Sequence, residues 1–180
     1  GPPPIQMQDA MQGFRTTDAR MIGLVTSWPC ALSLASTWDD DATWEWARAI
    51  GEEFRAKAAN VVLGPSVNVH RVPWNGRNAE YISGEEPHLG TRLAAAYVRG
   101  VQEGAGLAAV LKHFVLNQQE TDRTSVDSHV DERTLWEMYY PPFEAAVRAG
   151  VSAVMCSYNF VNGKQACANA DTLTTDLKQR

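Results

Sequence analysis

Three stretches of this sequence end an apolar run in side chains able to bind or react. The first is Asn75-Gly76-Arg77-Asn78-Ala79-Glu80. Here the guanidinium's fork of donors can hold a ligand's hydroxyls while Glu80 orients it, although a lone loop arginine is as often simply solvated. The second is Leu111-Lys112-His113-Phe114. Adjacent strand residues point to opposite faces, so one of the two polar side chains needs special backbone geometry to join the other. Lone histidines more often serve packing or the surface. Asn117, Glu120 and Arg123 follow closely, however, and this favours a polar ligand site. The third is Met155-Cys156-Ser157-Tyr158-Asn159, where Tyr158 can offer a hydroxyl from an apolar body, a combination suited to sugars. Six tryptophans add modest support as stacking platforms, since most tryptophans serve cores.

Other chemistries lack their residues. The four histidines, His70, His88, His113 and His129, form no His-x-x-x-His pair, and there is no Cys-x-x-Cys, so no metal site is expected. No Gly-x-Ser-x-Gly elbow and no phosphate-binding glycine loop occurs, and no cofactor is implied. Sixteen basic against 21 acidic side chains give a net charge of −5 without a basic run, which speaks against a nucleic-acid partner. No apolar run approaches the ~18 residues of a membrane span. Cys156 and Cys167, eleven apart across an Asn-Gly turn, can close a small disulfide loop and leave Cys30 over; three buried free thiols fit the sequence equally well.

The elements that must position these clusters alternate. Ala31–Trp38 reads as a strand, Asp39-Asp40-Asp41 as a helix N-cap, and Ala42–Ala59 as a helix with Ala47, Ile50, Phe54 and Ala58 at helical spacing. Asn60–Gly64 is a continuous apolar strand. A helix is expected from about His88 to Glu103, a strand over Leu107–Leu116, and a helix opened by Asp131 that Pro141-Pro142 divides. A strand over Val151–Tyr158 follows, then a last helix capped by Asp171. Loops after strands are long and polar, whereas those after helices are short. This asymmetry indicates part of a (β/α)8 barrel of the TIM type, an α/β fold truncated after about four βα units. A doubly wound sheet is less well supported, because no Gly-x-Gly-x-x-Gly turn follows a strand. The whole of 1–180 reads as one such partial domain.

Four longer motifs carry a resemblance: GPSVNVHRVPWNGRNAEYISGEEPHL (Gly64–Leu89), KHFVLNQQETDR (Lys112–Arg123), VDERTLWEMYYPPF (Val130–Phe143) and VMCSYNFVNGKQACAN (Val154–Asn169). In their order and spacing the sequence resembles the N-terminal (β/α) barrel domain of glycoside hydrolase family 3, the retaining β-glucosidases, β-xylosidases and related exo-acting enzymes. The resemblance implies a carbohydrate substrate, a β-glucoside or oligosaccharide cleaved from its non-reducing end, and a secreted or extracellular parent, although no signal-peptide pattern opens the chain. It implies that Asp9 and Arg15, Arg77, Lys112, His113, Arg123, Met155 and Tyr158 bind the sugar beside the cleaved bond. Asp9 and Arg15 lie in a segment that departs from the family's Asp-Gly-Pro, having Ala10-Met11 instead.

Retaining hydrolysis also needs a nucleophilic carboxylate and a general acid roughly 5 Å apart. The resemblance implies an Asp in a Ser-Asp-Trp-like motif on the strand after Tyr158 and a Glu in a second domain, both beyond residue 180. No catalytic residue is therefore expected within the chain. It opens Gly1-Pro2-Pro3-Pro4 without Met and stops at Arg180 inside a helical pattern, so a fragment of a longer protein, inactive alone, is expected. The acidic residues Glu80, Glu85, Glu86, Asp131 and Glu132 match non-catalytic positions. Asp127-Ser128-His129 spells the acid/base tripeptide of the family's β-N-acetylglucosaminidase branch, but the Pro-Gly that should follow Lys-His-Phe is absent and the Arg77 motif is of the glucosidase type. The motifs are also compatible with a β-xylosidase of the same family and with a non-catalytic carbohydrate-binding half-barrel.

Overall fold

Val61-Val62-Leu63 is too apolar and too β-branched for a surface position, and it forms a strand with Val62 fully buried. In this computed structural model, which describes residues 4–180, it is one of seven strands among those residues. They are β1 (Met7–Asp9), β2 (Val61–Leu63), β3 (Ala108–Phe114), β4 (Asp127–Ser128), β5 (Ala153–Cys156), β6 (Phe160–Val161) and β7 (Lys164–Gln165). The main sheet is parallel in the order β1-β2-β3-β5, with Met7 opposite Val61, Val61 opposite Ala108 and Val110 opposite Ala153. Strands that neighbour one another in chain order, without a reversal, belong to a barrel wall and not to a doubly wound sheet.

Between the strands run α1 (Ala31–Ala35) and α2 (Asp40–Ala56), then α3 (Pro87–Arg99), which continues as a wider turn over Gly100–Gly104. The short α4 (Glu132–Thr134), its wider-turned extension Leu135–Tyr139, and α5 (Pro141–Arg148) follow β3. Helix α2 packs on α3 and α3 on α5, one helix layer outside the sheet. Trp46, Ile50 and Phe54 of α2, Leu93 and Tyr97 of α3, and Phe143 of α5 are buried with Val62, Ala109 and Leu111 of the sheet in one core. Gly100 lets the end of α3 come close to α2: a Cβ there would lie 2.5 Å from the Trp44 carbonyl oxygen. No helix among the described residues is long and apolar enough to cross a membrane.

Asp39 caps α2 by accepting from the Ala42 N–H, and Pro141 opens α5 in the first turn, where its missing N–H costs nothing. Three expectations need correction. Ala31–Trp38 is not a strand. It begins with the five-residue helix α1, because Ala31 and Ala35, one turn apart, both bury completely or nearly so, and the run has no β-branched residue before Thr37. The first strand is instead Met7–Asp9, three residues too few and too polar to show a period. Asp171 does not cap the last helical segment, Asp171–Asp176. Asn169 Oδ1 accepts from the Asp171 and Thr172 N–H groups, and the Asp171 carboxylate pairs with Lys164 at 2.6 Å.

After β5 the chain makes a hairpin, β6 with β7, turned at Asn162-Gly163 with both residues at positive φ, the geometry of a type I′ turn. Strand β4 adds to its free edge. A disulfide between Cys156 and Cys167 ties the hairpin to the end of β5, and Cys30 is free.

Candidate functional site

The C-terminal ends of the parallel strands open into a cleft of about 840 Å³. All eight residues expected to bind a ligand line it: Asp9 closes β1, Arg15 follows in the next loop, Arg77 comes from the loop after β2, Lys112 and His113 from the end of β3, Arg123 from the loop beyond, and Met155 and Tyr158 from β5 and its exit. This is the face on which barrel loops converge.

How neighbours in a strand both reach the cleft is visible in the ladder. Leu111 pairs with Val154, but the next pair is Phe114 with Cys156, so β3 advances three residues while β5 advances two. The extra residue is a bulge, a device that re-aims side chains. The Lys112–His113 peptide is cis, and the side chains of both residues line the cleft. Asn68 clamps the irregular backbone from the other side, accepting from the His113 N–H at 2.9 Å and donating to the His113 carbonyl at 3.0 Å.

The charged groups form an alternating chain. Arg15 Nη1 lies 3.0 Å from Asp9 Oδ2, Lys112 Nζ is 2.8 Å from Asp9 Oδ1 and 3.8 Å from Glu80 Oε1, and Arg77 grips Glu80 with two bonds of 2.7 and 3.1 Å. Arg77 reaches Glu120 at 3.5 Å, and Glu120 holds Arg123 at 2.9 Å. The Arg123 guanidinium lies over the Tyr158 ring, 4.5 Å from its centroid. Lys112 is 2% exposed, and an ammonium so enclosed persists only with anions in reach. Burial raises the Asp9 carboxyl, but Lys112 and Arg15 outweigh it and hold Asp9 below its ordinary value. Burial likewise works against the Arg77 charge, and the Glu80 hydrogen bonds more than offset it. His113 is pushed down to about 2 by burial first and then by the Arg77 and Lys112 charges, which makes it a neutral imidazole.

Two residues of the assembly are not singled out in the sequence, although both lie within the Gly64–Leu89 motif. Tyr81 is 1% exposed and places its hydroxyl 3.1 Å from His113 Nδ1; Asn68 supports the backbone described above. Both lie in the long polar loop after β2, and their partner His113 is 32 and 45 residues away in the chain. His129 is not in the cleft. It borders a separate concavity of about 960 Å³ with Arg71, Trp74 and Asp127, and its ring lies 3.3 Å from the Asp127 carboxylate.

Among curated proteins, the chain is 44% identical to a beta-glucosidase of Rhizobium radiobacter, matching over 99% of this chain and 22% of that protein. It is 42% identical to the thermostable beta-glucosidase B of Acetivibrio thermocellus, over 99% of this chain and 24% of the relative. Among solved structures, it superimposes on beta-glucosidase 3B from Thermotoga neapolitana in complex with glucose with a TM-score of 0.92 and 39% identity, covering 99% of this chain and 25% of the other. It also matches DesR, a beta-glucosidase from Streptomyces venezuelae in complex with D-glucose, with a TM-score of 0.90 and 40% identity over 98% and 22%. The chain thus spans roughly a fifth to a quarter of the length of these relatives. The sequence model of the glycosyl hydrolase family 3 N-terminal domain matches residues 3–180, and the chain belongs to that family.

Proposed function

We propose that this chain is the sugar-gripping part of a retaining, exo-acting β-glucosidase, and that its sheet is the first half of a (β/α)8 barrel completed by other parts of the parent protein. The observation that carries the reading is the division of labour within the alternating charge chain. Each carboxylate oxygen has two lone pairs. Asp9 spends one on each side, on Lys112 and Arg15, and keeps two for a pair of neighbouring hydroxyls. Glu80 Oε1 already takes Arg77 and Ser66 and has Lys112 nearby, so Glu80 orients the donors and does not bind. Lys112 with its three N–H groups and Arg77 with its fork supply donors. A polyol meeting this wall finds acceptors and donors side by side, which is what a sugar ring presents in return.

The same wiring leaves the cleft's own carboxylates without a catalytic part. A general acid needs a raised pKa and a nucleophile needs an unencumbered oxygen. Asp9 is ionised and ion-paired, and Glu80 has both oxygens held by Arg77. Both reacting carboxylates, the one that attacks the anomeric carbon and the one that protonates the leaving oxygen, then come from outside residues 1–180. The beta-glucosidase names of the relatives and the glucose bound in the matched structures support this reading. It is tested by Lys112→Ala in the parent. The expected result is a loss of about a hundredfold or more in kcat/KM on an aryl β-glucoside, since the sugar's hydroxyls then lose the charged donor that Asp9 holds in place. Near-wild-type kcat/KM would contradict it.

A further inference from the structure

His113 is enclosed on every side, and its neighbours dictate which ring nitrogen carries the proton. A neutral imidazole has one donor and one acceptor, and a guanidinium only donates. Arg77 Nη2 lies 3.3 Å from Nε2, so Nε2 holds the lone pair and Nδ1 holds the hydrogen. Nδ1–H then donates to the Tyr81 hydroxyl oxygen at 3.1 Å. The Asn117 amide donates to the same oxygen at 3.0 Å. Tyr81 is braced in turn, its ring packed edge-on to His113 with centroids 5.9 Å apart and its backbone N–H bonded to the Asn78 carbonyl. The opposite tautomer would set Nε2–H against an arginine N–H, two donors facing one another.

We propose that Tyr81 is a positioning residue. With Asn117 it holds His113 as the Nδ1–H tautomer, so that the Nε2 lone pair accepts from Arg77 Nη2 and fixes the guanidinium that lines the cleft. That Arg77 so held meets a sugar hydroxyl rests on the sugar-binding reading given above; the tautomer itself does not. Both hydrogens of Arg77 Nη2 are then engaged, one on Glu80 Oε1 and one on His113 Nε2, and the guanidinium is held from two sides.

Two measurements test the inference. In uniformly ¹⁵N-histidine-labelled protein at neutral pH, two-bond ¹H–¹⁵N correlation spectra should show His113 Nδ1 as the protonated nitrogen and Nε2 as the bare one; the reverse pattern overturns the proposal. This uses the unaltered chain and stands even where a variant fails to fold. In the parent, Tyr81→Phe should lower kcat/KM on an aryl β-glucoside at least about tenfold in the wild-type background but less than about twofold in a His113→Ala background, because a residue acting through His113 has nothing left to position. Equal losses in both backgrounds overturn the positioning role. Unchanged activity of His113→Ala alone overturns the part His113 plays in holding Arg77 for the sugar, while the spectrum separately decides the tautomer.

Discussion

Lys112 Nζ lies 2.8 Å from Asp9 Oδ1, joining the ends of two strands 103 residues apart in the chain. No strand-to-strand ladder links β1 to β3 directly, because β2 lies between them. The ion pair therefore spans the mouth of the cleft and fixes the distance across it. The ammonium is nearly enclosed while the Asp9 side chain is 41% exposed, so the anion is the partner that solvent can also reach.

That asymmetry sets the effect of removing the anion. Asp9→Asn leaves the enclosed Lys112 with Glu80 at 3.8 Å as its nearest carboxylate. The expected loss of stability is about 2 kcal/mol, below the roughly 3–5 kcal/mol of a fully buried pair because Asp9 is partly solvated. Urea unfolding of the two proteins at neutral pH measures it. Since Asp9 is held below its ordinary value of 3.8, its contribution is complete above that value and disappears as the pH falls through the folded-state pKa. The wild type should thus lose its advantage over Asp9→Asn only below about pH 4; an advantage that fades between about pH 7 and 5 would contradict the assignment.

His113 produces a pH dependence in a different range. Its folded-state pKa is pushed down to about 2, whereas in the unfolded chain it titrates near 6.5. Below 6.5 the unfolded state takes up a proton that the folded state refuses, so stability falls with pH by up to about 1.4 kcal/mol per unit. His70, which burial also holds below its ordinary value, adds to the same slope. His113→Gln should flatten the stability profile between about pH 6.5 and 5 when followed by chemical unfolding, and the His113 ring signals should not titrate over that range. A His113 titration midpoint near 6.5 would show the ring to be solvated.

The order of elements was largely legible in the residues, and the exceptions are instructive. Ile50 and Phe54 lie on one face of a segment capped by Asp39, and Val61–Leu63 is a bare apolar run; local rules suffice for both. Ala31–Ala35 defeated the same rules because five residues without a β-branch are too few to show a clear period, and burial of Ala31 and Ala35 against the rest of the fold decides for helix. Met7–Asp9 is a strand only because β2 offers it an edge. Arg77, Lys112 and His113 stood out as polar groups closing apolar runs. Tyr81 and Asn68 did not, since a tyrosine or asparagine acquires its part only when His113 arrives from a strand 32 and 45 residues further along.

The Cys156–Cys167 bridge closes a loop with a sequence separation of 11, and that loop carries Tyr158. Loop-closure entropy for such a length corresponds to about 2–3 kcal/mol. The double variant Cys156→Ala/Cys167→Ala should be destabilised by about that amount in denaturant titration. Thiol titration of the unreduced, unfolded chain should find a single free thiol, Cys30. Three reactive thiols would place the bridge in doubt.

Phe54 is fully buried, its ring packed edge-on to Phe14 at a centroid distance of 4.9 Å beneath the loop that carries Arg15. Phe54→Ala should cost about 3–5 kcal/mol of stability. Because the cavity opens under the segment linking Asp9 to Arg15, ligand affinity should fall together with stability. A loss under about 1 kcal/mol in equilibrium unfolding would show that the core is not built as described.

If the cleft between Asp9 and Tyr158 grips the hydroxyls of a sugar, the isolated chain should bind one there. Titration of the isotope-labelled 180-residue chain with D-glucose, followed by amide and side-chain chemical shifts, tests this most directly. Saturable shifts centred on Asp9, Arg77, Lys112, His113, Met155 and Tyr158 are predicted, abolished by Lys112→Ala in a chain that remains folded. Shifts confined to the Trp74–His129 concavity, or none at any sugar concentration reached, would contradict the proposed function.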